Sequence, residues 1–302
     1  MTLKVDNMIQ SKLLVKGTDV TGEAATWLKD RGWLLWVDID NGILHQYEDR
    51  SGKTTDRYLP DMVTSIIPIN NQPGVVILAM KSRMVVYSLD DQSFRTLCDF
   101  RDIHPQWRTN DCKCSPDGRI WCGMMNMKHQ DQNGFVYWVD REGKVTKILD
   151  HQCIPNGVVW TPQGDRLYYA DSGRSCIEEY AYDSHTGNIQ FLRTAVTVPP
   201  EYGIPDGMTI DARGNLWVAH WGGSGVYVWN PDNGELLDQV AVPVPNPASC
   251  TFGGEGNHQL FITTARDGLT EAELKSYPLS GSLFVADVPQ VKGGENHYAF
   301  RL

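Results

Sequence analysis

Six short apolar runs mark the chain: LLWVDI from Leu34, VVILAM from Val75, IWCGMM from Ile120, LYYADS from Leu167, LWVAHW from Leu216 and LFITTA from Leu260. Each is rich in β-branched and aromatic residues. Several follow a polar turn such as PDGR, PQGDR or ARGN. That combination predicts strands. Long 3.6-residue periodicity is absent, so helices are not expected to carry the fold. The runs recur at a beat of roughly 40–50 residues, the mark of β-propeller blades. Sandwiches also use many short strands but seldom keep such a beat. The chain is therefore expected to be all-β, a six-bladed β-propeller with four-stranded blades, forming one domain over residues 1–302. SLFVADV (282–288) and the early KLLVKG (12–17) are the expected terminal strands, sharing one blade to close the ring.

A second repeat runs in phase with the first. About ten residues before most apolar runs stands a short polar motif: GEA at Gly22, TND at Thr109, PNG at Pro155, PDG at Pro205 and PAS at Pro247, with only VTS at Val63 in the second repeat. In a propeller the innermost strands all start at one end of the central channel, so equivalent residues meet around the axis. Glu23, Asn110, Asn156 and Asp206 are thus expected to converge. Carboxylates with amide oxygens make a hard site suited to Ca²⁺, Mg²⁺ or Mn²⁺. The bland alternative is that Asn-Gly and Asp-Gly are ordinary turn dipeptides. SPDGR at Ser115 and PDNG at Pro231 read that way, because they directly precede a strand in hairpin position.

Charge narrows the partners. Lys and Arg total 27 against 37 Asp and Glu, a net charge of −10, which argues against nucleic acid. No stretch approaches the length of a membrane span, and the first residues lack the apolar core of a secretory signal. A cytoplasmic location is expected. The seven cysteines are odd in number and form no CxxC pair, so buried reduced thiols are expected rather than a disulfide framework. His45, His104, His129, His151, His185, His220, His258 and His297 form no HxxxH or HxH pair of the zinc type. GxSxG is absent, which removes the serine-hydrolase elbow. His220 and Trp221, at a strand end, are candidates either for the pocket wall or for the core. The oligomeric state is not legible.

With these pieces in place the chain resembles the gluconolactonase, senescence marker protein and regucalcin family. The resemblance rests on GEAATW…LLWVDI (22–39), RTNDCKCSPDGRIWCGMM (108–125), IPNGVVWTPQGDRLYYADS (154–172), IPDGMTIDARGNLWVAHWGG (204–223) and NPASCTFGGEGNHQLFITTA (246–265), in the family's order. It implies a six-bladed propeller with one catalytic divalent ion, Ca²⁺, Mg²⁺, Mn²⁺ or Zn²⁺, with Ca²⁺ the first expectation. Glu23, Asn156 and Asp206 match the family's metal ligands, and Asp206 is also the candidate proton acceptor. Arg108 and Asn110 match its substrate-binding pair. The implied substrate is a small sugar lactone, hydrolysed to the open-chain aldonic acid. Three departures stand out. GEAA replaces the family's usual GEGP, Cys112 replaces a Gly, and Lys128 stands where many members carry a substrate-binding Glu. Lys128 is accordingly a candidate substrate contact of changed charge. Two other readings remain open: a related propeller hydrolase acting on other esters or organophosphates, and a non-catalytic calcium-binding propeller.

Overall fold

The computed structural model describes residues 8–100, 106–128, 133–294 and 298–302. His104, His129 and His297 lie outside them. Six antiparallel sheets are arranged as a six-bladed β-propeller. The innermost strands are Gly22–Leu28, Val63–Pro68, Trp107–Cys114, Pro155–Trp160, Ile204–Ile210 and Pro247–Gly253. The apolar runs read from the sequence form the second strands, such as Trp33–Asp38 and Leu216–Trp221. These second strands are buried nearly end to end, because neighbouring blades cover both faces. The outermost strands alternate instead, as Lys53–Tyr58 does, with one face turned to water.

The ring closes as expected. Lys12–Val15 pairs with Leu283–Asp287 and supplies the outer strand of the sixth blade. Trp27 of the first blade stacks on Phe261 of the sixth, with ring centroids 5.4 Å apart, and fills that seam. The four-strand rule has one exception. Ile9–Gln10 adds in parallel to Glu235–Ala241, giving the fifth blade a fifth strand. At the far end of the channel Gly293 bridges to Asp211, and the buried Phe300 bridges to Ile69.

Two features of the inner strands position the site. The first is a bulge repeated in every blade. The pairing of inner with second strand slips at Glu23/Thr26, Val63/Ser65, Thr109/Cys112, Pro155/Val158, Pro205/Met208 and Pro247/Ser249. Each slip leaves one extra residue on the inner strand, which re-aims a side chain that a regular ladder would direct elsewhere. The second feature is close approach. A Cβ on Gly157 would lie 2.6 Å from the Asp206 carbonyl oxygen, and one on Gly207 would lie 2.9 Å from the Ala248 carbonyl oxygen. Asn156-Gly157 and Asp206-Gly207 lie within strands, not in turns. Their glycines serve inter-blade contact, and the turn reading of these two motifs does not hold.

No described helix is long and apolar enough to cross a membrane. Five of the seven cysteines are buried, and no disulfide joins any of the seven.

Candidate active site

The bulges turn polar residues from four blades toward one end of the channel. Asn110, Asn156 and Asp206 are each less than a tenth exposed. The Arg108 guanidinium donates through Nη1 to the Thr109 carbonyl at 2.9 Å and to Asn110 Oδ1 at 2.6 Å. Asn110 Nδ2 in turn donates to the Pro155 carbonyl at 2.8 Å and to Asn156 Oδ1 at 2.9 Å. Asn156 Nδ2 donates to Ser172 Oγ, which donates to the Pro205 carbonyl, both at 2.7 Å. One chain of hydrogen bonds therefore runs from the third blade through the fourth to the residue beside Asp206.

Glu23 and Asp206 complete the cluster electrostatically. Burial pushes the Glu23 carboxyl up to about 8, and the nearby Asp111 adds to the rise. The Ala24 amide, which donates to Glu23 Oε2 at 2.7 Å, pulls the other way. Asp206 is raised well above the usual carboxylate range by burial and then by Glu23 and Asp111. Asp111 is raised by burial and opposed by the Lys113 ammonium. Lys113 itself donates to the Met208 carbonyl at 2.5 Å. Burial works against the charge of Arg108, and the carboxylates of Asp40, Glu23, Asp206 and Asp267 work for it. The pattern is one of acidic groups held close in a poorly solvated throat, an arrangement that favours a bound cation.

The local backbone explains the placement. Asp38 accepts from the Val20 and Thr21 amides at 3.1 and 3.2 Å, fixing the chain just before Glu23. Asp171 does the same for Cys153 and Ile154, both at 2.9 Å, just before Asn156. In the fifth blade His220 takes the pairing position of Asp171, opposite Pro205. Its Nδ1 is 2.8 Å from the Tyr202 carbonyl, its Nε2 accepts from Trp229 at 3.3 Å, and Tyr227 stacks on the ring. Burial pushes this imidazole down to about 4, so it is neutral, with Nδ1–H as the donor. His220 is a buried structural residue and not part of the pocket wall. From the inner strand of the second blade, Ser65 Oγ bridges the bulge of the third, accepting from the Cys112 amide and donating to the Asn110 carbonyl, both at 2.9 Å. Ala24, at the place of a family glycine, holds a left-handed φ of 56°.

The hydrogen-bond chain above does not include Lys128. It is exposed in the turn after Ile120–Asn126, and its amide donates to Asn126 Oδ1 at 2.9 Å. Trp107 pairs with Asn126 and Arg108 with Met125, which puts Lys128 at the same end of the blade as Arg108. Ser65, Lys113 and Ser172 were not singled out from the sequence. Ser172 closes the LYYADS run, but nothing in that run marks it as different from any strand-end serine.

Among the described residues no group of three or more His, Cys, Asp and Glu is placed to hold a metal ion. A cation here would be held by two carboxylates together with an amide oxygen. Asn156 Oδ1 spends one lone pair on Asn110, and a carbonyl-type oxygen has a second. The donor set is all oxygen and suits a hard divalent cation.

The SMP-30/Gluconolactonase/LRE-like region model matches residues 21–266. A putative sugar lactone lactonase of Bacillus subtilis, YvrE, is 32% identical over 269 residues, covering 89% of this chain and 91% of that protein. Regucalcin of Xenopus laevis is 31% identical over 290 residues, covering 94% and 96%. The crystal structure of a calcium-binding protein, regucalcin, from Agrobacterium tumefaciens superposes with a TM-score of 0.91 at 24% identity, over 99% of this chain and 100% of that one. With its bulged inner strands and the acidic, amide-lined end of its channel, the chain belongs to the SMP-30/gluconolactonase/LRE-like family.

Proposed function

We propose that this protein is a divalent-metal-dependent hydrolase that opens sugar-acid lactones to aldonic acids. The observation that carries the reading is the buried Arg108–Asn110–Asn156 chain lying beside the mutually repelling carboxylates of Glu23 and Asp206. The printed names of its relatives, a sugar lactone lactonase and calcium-binding regucalcin, point the same way.

Glu23, Asn156 and Asp206 are the residues that hold the ion in this reading. When bound, a divalent ion supplies Lewis acidity toward the lactone carbonyl and acidifies water. The remaining steps belong to the protein. Arg108 and the Asn110 amide bind ring hydroxyls and fix the ester plane, which converts an encounter into an oriented collision. An Asp206 carboxylate oxygen accepts a proton as water oxygen bonds to the carbonyl carbon. The ring C–O bond then breaks, and the same proton passes from Asp206 to the departing ring oxygen. Lys128, at the rim, offers an ammonium donor where a carboxylate acceptor is usual in the family, and shifts preference among lactones by charge.

Chelator-treated protein is assayed for proton release on a panel of aldonolactones, then with Mg²⁺, Ca²⁺, Mn²⁺ or Zn²⁺ restored, with Asp206→Ala alongside. Metal-restored hydrolysis that is missing from Asp206→Ala is expected. A folded wild type that hydrolyses no lactone with any of the four ions refutes the lactonase reading. Metal binding without turnover transfers the site to the calcium-binding alternative.

A further inference from the structure

Ser172 is 2% exposed and begins the short turn after the second strand of the fourth blade. Its Oγ lies 2.7 Å from the Pro205 carbonyl oxygen and 2.7 Å from Asn156 Nδ2. A hydroxyl has one proton, and a carbonyl oxygen only accepts. The proton is therefore committed to Pro205, and toward Asn156 the serine has only lone pairs to offer. Asn156 must present its N–H₂ there, which turns Oδ1 to the opposite side.

The other end of the chain closes the same way. A guanidinium only donates, so the atom of Asn110 facing Arg108 is its oxygen. The Pro155 carbonyl only accepts, so the atom facing it is Asn110 nitrogen, whose second hydrogen goes to Asn156 Oδ1. Each amide could in principle be flipped by half a turn. Here both orientations are fixed by end groups whose roles are invariant. The same hydroxyl also ties the fourth blade to the residue preceding Asp206.

We propose that Ser172 is a positioning residue for the metal centre: it locks the Asn156 amide with Oδ1 as the atom available to a cation and holds the Pro205–Asp206 backbone beside it. This rests on the metal-dependent reading above. A serine that merely filled space would make no demand on which amide atom Asn156 presents.

The test is a double-mutant cycle read by calorimetric titration of Ca²⁺ into chelator-treated protein, with thermal melts on every variant. Ser172→Ala is expected to weaken Ca²⁺ binding by about ten- to a hundredfold, the usual range for outer partners of a metal ligand. In an Asn156→Asp background the same Ser172→Ala change is expected to cost less than about threefold, because a carboxylate shows an oxygen whichever way it turns. Equal losses in the two backgrounds overturn the proposal and leave the metal reading intact. A folded wild type that binds none of Ca²⁺, Mg²⁺, Mn²⁺ and Zn²⁺ overturns both. A measurement on the wild type alone covers the case in which Ser172→Ala does not fold. The Asn156 side-chain N–H₂ protons, assigned by their absence from Asn156→Asp, should exchange slowly with solvent in amide NMR spectra. Rapid exchange of that pair refutes the lock.

Discussion

Gly157→Ala offers a sharp test of how the ring is held to the site. The new Cβ would stand 2.6 Å from the Asp206 carbonyl oxygen, 2.8 Å from Met208 Cγ and 2.9 Å from the Met208 amide nitrogen. Two of these three atoms are backbone, so no rotamer change relieves the contact. The shortest contact falls roughly 0.5–1 Å short of van der Waals separation, and the inner strands of the fourth and fifth blades must part by about that much. Overpacking of this kind costs about 1–3 kcal/mol, a drop in Tm of roughly 2–6 °C for a chain of this size. The displacement falls between Asn156 and Asp206, where a shift near 1 Å is worth about a hundredfold in rate. The assay pairs thermal melts with Ca²⁺ titration and lactone hydrolysis, and sets Gly157→Ala beside Gly52→Ala. Gly52 has a φ of 67° in a distal hairpin with nothing within 4 Å, so alanine there costs backbone strain of about 1–2 kcal/mol far from the site. Comparable Tm losses with a selective loss of Ca²⁺ binding and rate in Gly157→Ala are expected. Wild-type affinity and rate in folded Gly157→Ala refute the claim that this glycine sets the distance between the two ligand positions.

Other consequences follow from single residues. Arg108→Met leaves Asn110 Oδ1 without its charged donor, and kcat/KM should fall about 10- to 100-fold while Tm changes little, as a steady-state assay with melts checks. Ala24→Gly removes a left-handed alanine at a bulge and should raise Tm by an amount corresponding to about 1 kcal/mol without loss of Ca²⁺ affinity. His45 lies between Asp19 and Asp56, at 3.3 and 2.8 Å, and these carboxylates raise its pKa above the ordinary 6.5 against the opposing effect of burial. A raised histidine stabilises below its unfolded pKa, and that contribution disappears as pH climbs through the folded value. The Tm gap between wild type and His45→Gln should thus be widest near pH 6 and shrink by pH 9; a gap that widens with pH refutes the assignment. Deleting residues 1–16 strips the sixth blade of its outer strand and should abolish cooperative melting, read by calorimetry.

Much of this protein was legible in its sequence because two periodicities run through it. The second strands are covered on both faces by neighbouring blades, so they must be apolar throughout, and a repeated apolar run survives as a pattern anyone can count. The polar motifs one strand earlier are equally in phase, and ring geometry alone was enough to expect Asn110 and Asn156 to meet, as their 2.9 Å hydrogen bond shows. The closing strands at both termini could be read for the same reason: an incomplete last blade needs a partner strand.

What the tertiary structure alone decided is how those residues are aimed. A bulge is a mismatch between two strands and exists only once they pair, so no letter of the sequence marks the slips at Glu23, Asn110, Asn156 and Asp206. The glycines after Asn156 and Asp206 keep an ordinary turn role as an alternative until a second blade is placed 2.6–2.9 Å from where their side chains would begin. His220 could be read along the chain either as pocket wall or as core, and burial against Tyr227 and Trp229 made it a neutral strut. Ser172 was one more strand-end serine until Pro205, 33 residues on, supplied the carbonyl that commits its proton. Periodicity is a property of the chain and can be read along it, whereas hydrogen-bond direction and close approach are properties of pairs that only folding brings together.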